Sequence, residues 1–233
     1  KKIAKKRGLK IVDINKELSK ANEHLPSLPD FKIKNLAMSI LASKICGLKE
    51  NLIYKKIKNI KDVNGRLELV RKFPNEVKVF VDYAHTPDAL IKTLKFLKDE
   101  YKKNISIVFG CGGDRDKKKR PLMAKIANKY CNKIYITDDN PRNENPKTIR
   151  KKLLNYISSE KSFDISRRSI AIKRSIEQAN PGEIILVAGK GHEETQIYKN
   201  KIYHISDKNI IKRNIVKTKK LSKIKLNYLE NNL

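Results

Sequence analysis

One pattern recurs four times between Val77 and Glu193: a short apolar run, then at once a cluster of Asp, Gly, Arg, Lys or His. The runs cover residues 77–81, 105–109, 133–137 and 183–188, and each reads as a strand buried on both faces. Between them lie helix signals. Thr86-Pro87-Asp88 offers a cap and a first-turn proline, and Leu90, Ile91, Leu94 and Leu97 then share one helical face. Further helices are expected to begin near Pro121, Pro146 and Ser169. Buried strands alternating with helices predict a doubly wound α/β domain with a mostly parallel sheet, from about Asn64 to Ile215. Upstream, Leu36, Ala37, Ile40, Leu41 and Ile45 predict a helix over 34–46, and Tyr198-Lys199-Asn200-Lys201 predicts a hairpin turn.

A chain of 233 residues has room for one such domain and part of another. It begins with Lys1 rather than Met, so a processed chain or a piece of a longer one is expected. No apolar run approaches the ~20 residues a bilayer requires, and the basic N-terminus lacks a secretory core, which predicts a cytoplasmic protein without membrane insertion. The formal charge of +29 would attract nucleic acid. The lysines are nevertheless dispersed from Lys1 to Lys223 with 6% aromatics and no single stripe, which favours a solvated surface over specific nucleic-acid binding. Cys46, Cys111 and Cys131 have no C-x-x-C spacing, so neither a disulfide framework nor a metal site is expected.

The four polar clusters are Asp82-Tyr83-Ala84-His85, Gly110 to Arg115, Asp138 to Arg142, and Gly189-Lys190-Gly191-His192-Glu193. In an open parallel sheet, ligands bind outside the carboxyl ends of the strands, where all four would meet. Arg115 and Arg142 each suit a carboxylate in two-pronged geometry, and Asp139 and Glu193 suit ammonium groups, which together describe an amino-acid-like ligand. Gly110, Gly112, Gly113, Gly189 and Gly191 would let backbone N–H groups approach an anion. A salt bridge from Arg142 to Glu144 is the structural alternative.

The strings DYAHTPDAL, FGCGGDRDKKKRPLM, TDDNPRNENP and LVAGKGHEETQI resemble the Mur ligases, in particular their diaminopimelate-adding members. The resemblance divides the chain into residues 1–62, the end of a central ATP-binding α/β domain; 63–215, a Rossmann-like C-terminal amino-acid-binding domain; and 216–233, a basic tail. It implies a peptide-bond-forming ligase of peptidoglycan synthesis that uses ATP and Mg²⁺ to activate a carboxylate of a UDP-linked muramoyl dipeptide, acting as a monomer. It further implies that Arg115, Asp139, Asn140, Pro141, Arg142, Gly189 and Glu193 bind meso-diaminopimelate. Asn35, Arg66, Asp82 and His85 would touch ATP, with Arg66 on phosphate and Asp82 on the ribose. The Asp139-Asn140-Pro141-Arg142 tetrad is similar to the signature of diaminopimelate-adding enzymes, whose lysine-adding relatives lack the Arg. No G-x-x-G-K-[ST] loop occurs in the chain, so the phosphate chemistry and the metal ligands are expected from sequence upstream of Lys1, no catalytic residue falls in this segment, and the chain alone is expected to be inactive. The alternatives are a non-catalytic amino-acid-binding module and a basic nucleic-acid-binding protein. Folylpolyglutamate synthetases share the architecture, but the tetrad and the GKGHE string point away from them.

Overall fold

The four apolar runs become strands whose residues are almost all buried, as expected for a sheet covered on both sides. The computed structural model describes residues 2–26, 28–57, 59–60 and 62–214, and the chain divides into two units after Asp62. The expected basic tail, 216–233, lies outside the described residues.

The first unit contains α1 (Lys2–Lys6), α2 (Asn15–His24), α3 (Asp30–Ile45) and α4 (Glu50–Ile57). Ala21, Ile33, Ala37, Ile40 and Ile57 form its core. The helix expected over 34–46 begins earlier, at Asp30, because extended Pro29 immediately precedes its first turn. Lys44 reaches Glu17 at 2.9 Å, and this ammonium holds the largely buried Glu17 carboxyl below its usual range.

The second unit runs β1 (Glu68–Lys72), β2 (Lys78–Asp82), α5 (Pro87–Tyr101), β3 (Ile105–Phe109), α6 (Lys119–Tyr130), β4 (Lys133–Ile136), α7 (Pro146–Leu154), β5 (Ser162–Asp164), α8 (Arg168–Glu177), β6 (Ile184–Ala188), β7 (Thr195–Tyr198), β8 (Lys201–His204) and α9 (Asp207–Arg213). The main sheet has the order β1-β2-β6-β3-β4-β5, with β1 antiparallel to β2 and the remaining pairs parallel. The connections from β2 through β5 all step in one direction, and the β5-to-β6 connection steps back, placing β6 between β2 and β3. Right-handed crossovers therefore put α5, α6 and α7 on one face and α8 on the other. The alternation of side chains agrees: Val79, Val81, Val108, Tyr135, Ile185 and Val187 share a core with Ala171, Ile172 and Ile176 of α8 and Ile211 of α9. At α5 the expected cap forms, Thr86 Oγ1 accepting the Ala89 N–H at 3.3 Å, and Asn145 likewise caps α7 ahead of Pro146.

The sequence reading expected four sheet strands and the sheet has six. β1 is an edge strand interrupted by Arg71 and a register shift, and β5 is three residues long, so neither presents a continuous apolar run. The hairpin expected at Tyr198 to Lys201 forms as β7 and β8, which make their own two-stranded sheet.

Candidate functional site

The loops following β2, β3, β4 and β6 leave the carboxyl ends of adjacent parallel strands, so the sheet order itself brings the four polar clusters to one edge. Their backbones are in close contact. A Cβ on Gly110 would stand 2.1 Å from the Thr137 carbonyl oxygen, and one on Gly113 would stand 1.9 Å from that of Pro141. Gly65 and Gly191 exclude side chains from each other's backbone in the same way, at 2.2 Å from His192 N and 2.6 Å from the Gly65 oxygen.

This corrects one expectation. Gly113 and Gly189 do not offer their N–H groups to an anion, because those groups donate to Asn140 O (2.9 Å) and Asp82 O (3.0 Å). Loop-on-loop packing explains the glycine at 113, and at Gly189 a φ of +108° adds a backbone requirement.

Arg142 sits in the left-handed region at φ +49°. Its backbone is clamped to β7, its N–H donating to Ile197 O (3.0 Å) and its carbonyl accepting from Lys199 N (2.8 Å). Its Nη1 donates to Gly113 O (2.9 Å) and Asn140 O (3.3 Å), while Nε and Nη2 take no protein acceptor among the described residues. One prong of the fork is therefore anchored and the other is presented. Arg115 lies beside it: a Cβ on Gly112 would be 2.9 Å from Arg142 Nη1 and 3.8 Å from Arg115 Cγ. The alternative bridge from Arg142 to Glu144 does not form. Glu144 is taken instead by buried Arg120, with Nη2 at 2.9 Å and Nη1 at 3.0 Å, and by the Asp114 N–H at 2.8 Å. The Arg120 guanidinium is the main reason the Glu144 carboxyl is pulled down to about 2.

On the other side of the cluster, Asp139 Oδ2 lies 3.1 Å from the position of a Cβ on Gly189. Asn140 is buried and its amide is spent inside the protein, on Lys190, Ile197 and Glu193. Pro141 is buried against Gly113. Glu193 remains partly exposed and shares one oxygen with Asn140 Nδ2 (3.2 Å) and Lys190 Nζ (3.3 Å). Behind this group Asp138 accepts from Arg150 and from the Tyr198 hydroxyl (2.9 Å), which ties the loop after β4 to the β7–β8 hairpin. Arg120, Arg150 and Arg168 carry no signal in the sequence, and Lys190 falls in the fourth cluster without a role of its own, since a burial pattern gives no signal for a paired cation in a lysine-rich chain.

The residues expected at a nucleotide divide differently. Arg66 and His85 are exposed and both lie against Tyr83, Arg66 with its guanidinium 4.3 Å from the ring centroid and His85 edge-on at 4.6 Å. Asp82 faces inward, Oδ1 accepting Leu67 N (3.2 Å) and Oδ2 accepting Thr93 Oγ1 (2.6 Å). Asn35 is an exposed residue of α3 in the first unit. Among the described residues no three His, Cys, Asp or Glu side chains come together as a metal site. Cys111 and Cys131 are buried, and burial pushes the Cys111 thiol up to about 12, which leaves it without nucleophilic character near neutral pH. No described helix is long and apolar enough to cross a membrane.

Known proteins match this arrangement. The UDP-N-acetylmuramoyl-L-alanyl-D-glutamate–2,6-diaminopimelate ligase of Rickettsia montanensis is 40% identical over 194 residues, covering 82% of this chain and 40% of the relative. The ligase of the same description from Buchnera aphidicola subsp. Schizaphis graminum is 42% identical over 182 residues, covering 78% of the chain and 36% of the relative. A solved structure of a ligase of that description superposes with a TM-score of 0.61 at 37% identity, over 80% of this chain and 38% of that one. The chain thus spans about two fifths of the length of the curated relatives it matches. Residues 65–191, which hold the first three loops and the start of the fourth, match the Mur ligase, glutamate ligase domain family, and the chain belongs to that family.

Proposed function

We propose that this chain is the amino-acid-selecting part of a ligase that joins meso-diaminopimelate to UDP-N-acetylmuramoyl-L-alanyl-D-glutamate at the expense of ATP, in the cytoplasmic synthesis of peptidoglycan precursors. The observation that carries the reading is Arg142: its backbone is pinned to β7, Nη1 is anchored, and Nε and Nη2 are left for an acceptor beside Arg115. A planar fork of that kind matches a carboxylate. Diaminopimelate has one more carboxylate than lysine, and a site built around two arginines discriminates between them because lysine would leave one cation without its acceptor. Asp139 and Glu193 supply the negative charge for the ammonium groups, and Gly189 gives the ligand room against Asp139.

In this reading residues 1–62 belong to a nucleotide-binding domain and 63–215 to the amino-acid-binding domain. Arg66 meets a phosphate, and Tyr83 and His85 complete that edge. Asp82 acts through the backbone, seating Leu67 and with it the turn that carries Arg66, rather than by touching the ribose. ATP would convert the D-glutamyl carboxylate into an acyl phosphate. The amine of the amino acid then displaces phosphate to form the peptide bond. The described residues offer no ligand set for Mg²⁺. What these residues contribute is orientation: carboxylates of the incoming amino acid held by Arg115 and Arg142 leave its reacting amine in a fixed place.

The test is incorporation of labelled diaminopimelate into the UDP-linked dipeptide by the polypeptide as its cell makes it. ATP-dependent incorporation with strong preference over lysine supports the reading. Binding of diaminopimelate with no product from that polypeptide favours the non-catalytic module, and equal use of lysine refutes the assigned selectivity.

A further inference from the structure

Lys190 stands at the most enclosed point of the four loops, and neither the sequence pattern nor the proposed ligand accounts for it. Its side chain has 0% exposure, and lysine is almost never fully buried without a partner. The ammonium has two partners, Asn140 Oδ1 at 3.2 Å and Glu193 Oε2 at 3.3 Å. The orientation of the Asn140 amide follows from a third contact: the Ile197 N–H, which can only donate, points at Oδ1 from 3.0 Å. With its oxygen committed to Lys190 and Ile197, Asn140 must turn Nδ2 toward Glu193 Oε2, 3.2 Å away. Two donors thus converge on one oxygen of Glu193. The other, Oε1, takes no hydrogen bond from either. Lys190 and Glu193 also begin and end one tight turn, closed by the Glu193 N–H on the Lys190 carbonyl at 2.9 Å.

We propose that Lys190 is a positioning residue for amino-acid recognition: through Asn140 and directly, it fixes the orientation of Glu193, so that Oε1 meets an ammonium group of the ligand. This rests on the proposed function above. The other charged groups around Glu193 come from three elements. Asp139 lies on the loop after β4. Tyr83 lies on the loop after β2, its phenol pushed up by burial and then by the Glu193 charge. Arg168 at the start of α8 feels both carboxylates. Among the described residues, Lys190 is the one cation that touches Glu193 by hydrogen bond. Removing it takes away one of the two donors that hold Glu193 Oε2 and the ammonium partner of the Asn140 amide, so Oε1 is no longer held toward the ligand.

The experiment compares the polypeptide as its cell makes it with Lys190→Met, Lys190→Gln and Glu193→Gln, using meso-diaminopimelate as the varied substrate. Lys190→Met should raise KM about tenfold or more with kcat changed by less than about threefold, the split expected when ground-state binding is what is lost. Lys190→Gln, which keeps a polar group but is too short to span Asn140 and Glu193 as the ammonium does, should show the same split and serves if the Met variant does not fold. Lys190→Met placed on Glu193→Gln should add little, because its effect passes through Glu193. An unchanged KM in both lysine variants, or additive losses in the double variant, overturns the proposal. A parent polypeptide that does not use diaminopimelate overturns the functional reading itself, and the two failures are therefore distinct.

Discussion

Arg168 and Asp207 allow the sharpest stability prediction. Their side chains are 0% and 1% exposed, and the guanidinium donates to Asp207 Oδ1 at 2.8 Å and Oδ2 at 2.7 Å, while Nη2 also reaches the Ala188 carbonyl at 3.0 Å. Ala188 is the last residue of β6, immediately before the Gly189 loop, and Asp207 opens α9, so one side chain fastens three elements. Arg168→Met leaves a carboxylate buried without its cation. Breaking such a pair costs about 3–5 kcal/mol, which for a unit of this size is a fall in Tm of roughly 6–20 °C. Arg168→Met combined with Asp207→Leu removes the stranded charge as well and should recover at least half of the loss. Thermal unfolding followed by near-UV circular dichroism checks both. A loss below about 1 kcal/mol for the single variant, or a double variant as unstable as the single one, would refute the view that the pair acts by mutual neutralisation in a closed core.

Two other consequences follow from the loops. Gly113→Ala forces a methyl group to within 1.9 Å of the Pro141 oxygen, a backbone atom that cannot swing aside, and should displace the Arg142 loop; the measurable result is a drop of at least about tenfold in diaminopimelate affinity by calorimetry, and an unchanged affinity would show that the two loops do not pack as described. Glu144, drawn down to about 2 by Arg120, has its carboxyl pKa depressed on folding, so its contribution is complete above its ordinary value of 4.5 and is lost as pH falls from there through about 2. Acid unfolding of Glu144→Gln should therefore lose less stability over that window than the parent, and identical slopes would contradict the pairing.

How far the sequence could be read depended on burial. Strands β2, β3, β4 and β6 were legible because parallel strands covered on both faces are continuous apolar runs, and Ile105–Phe109 and Ile184–Ala188 are buried at every residue. β1 was not, because an edge strand such as Glu68–Lys72 carries charge on its exposed side, and β5 is too short to show a period. The candidate site was legible as four clusters because sheet topology sends the ends of parallel strands to one edge. The division of labour within it was not. Asn140 reads as a ligand residue by resemblance, and its amide proves to be committed to Lys190, Ile197 and Glu193. Arg168 looks like one more surface cation in a chain with 54 Lys and Arg, Lys190 is an unassigned member of its cluster, and only the three-dimensional pairing gives either a role.

In the proposed function, Arg142 selects the amino acid by holding a carboxylate that lysine lacks. The most direct measurement is the ratio of kcat/KM for diaminopimelate over lysine, in the polypeptide as its cell makes it and in Arg142→Ala. Truncating one member of a desolvated charge pair costs about 2–5 kcal/mol, so the ratio should fall by roughly 30-fold or more, almost entirely through diaminopimelate. An equal loss for both amino acids, leaving the ratio unchanged, would show that Arg142 only braces the loop against β7 and that selection lies elsewhere.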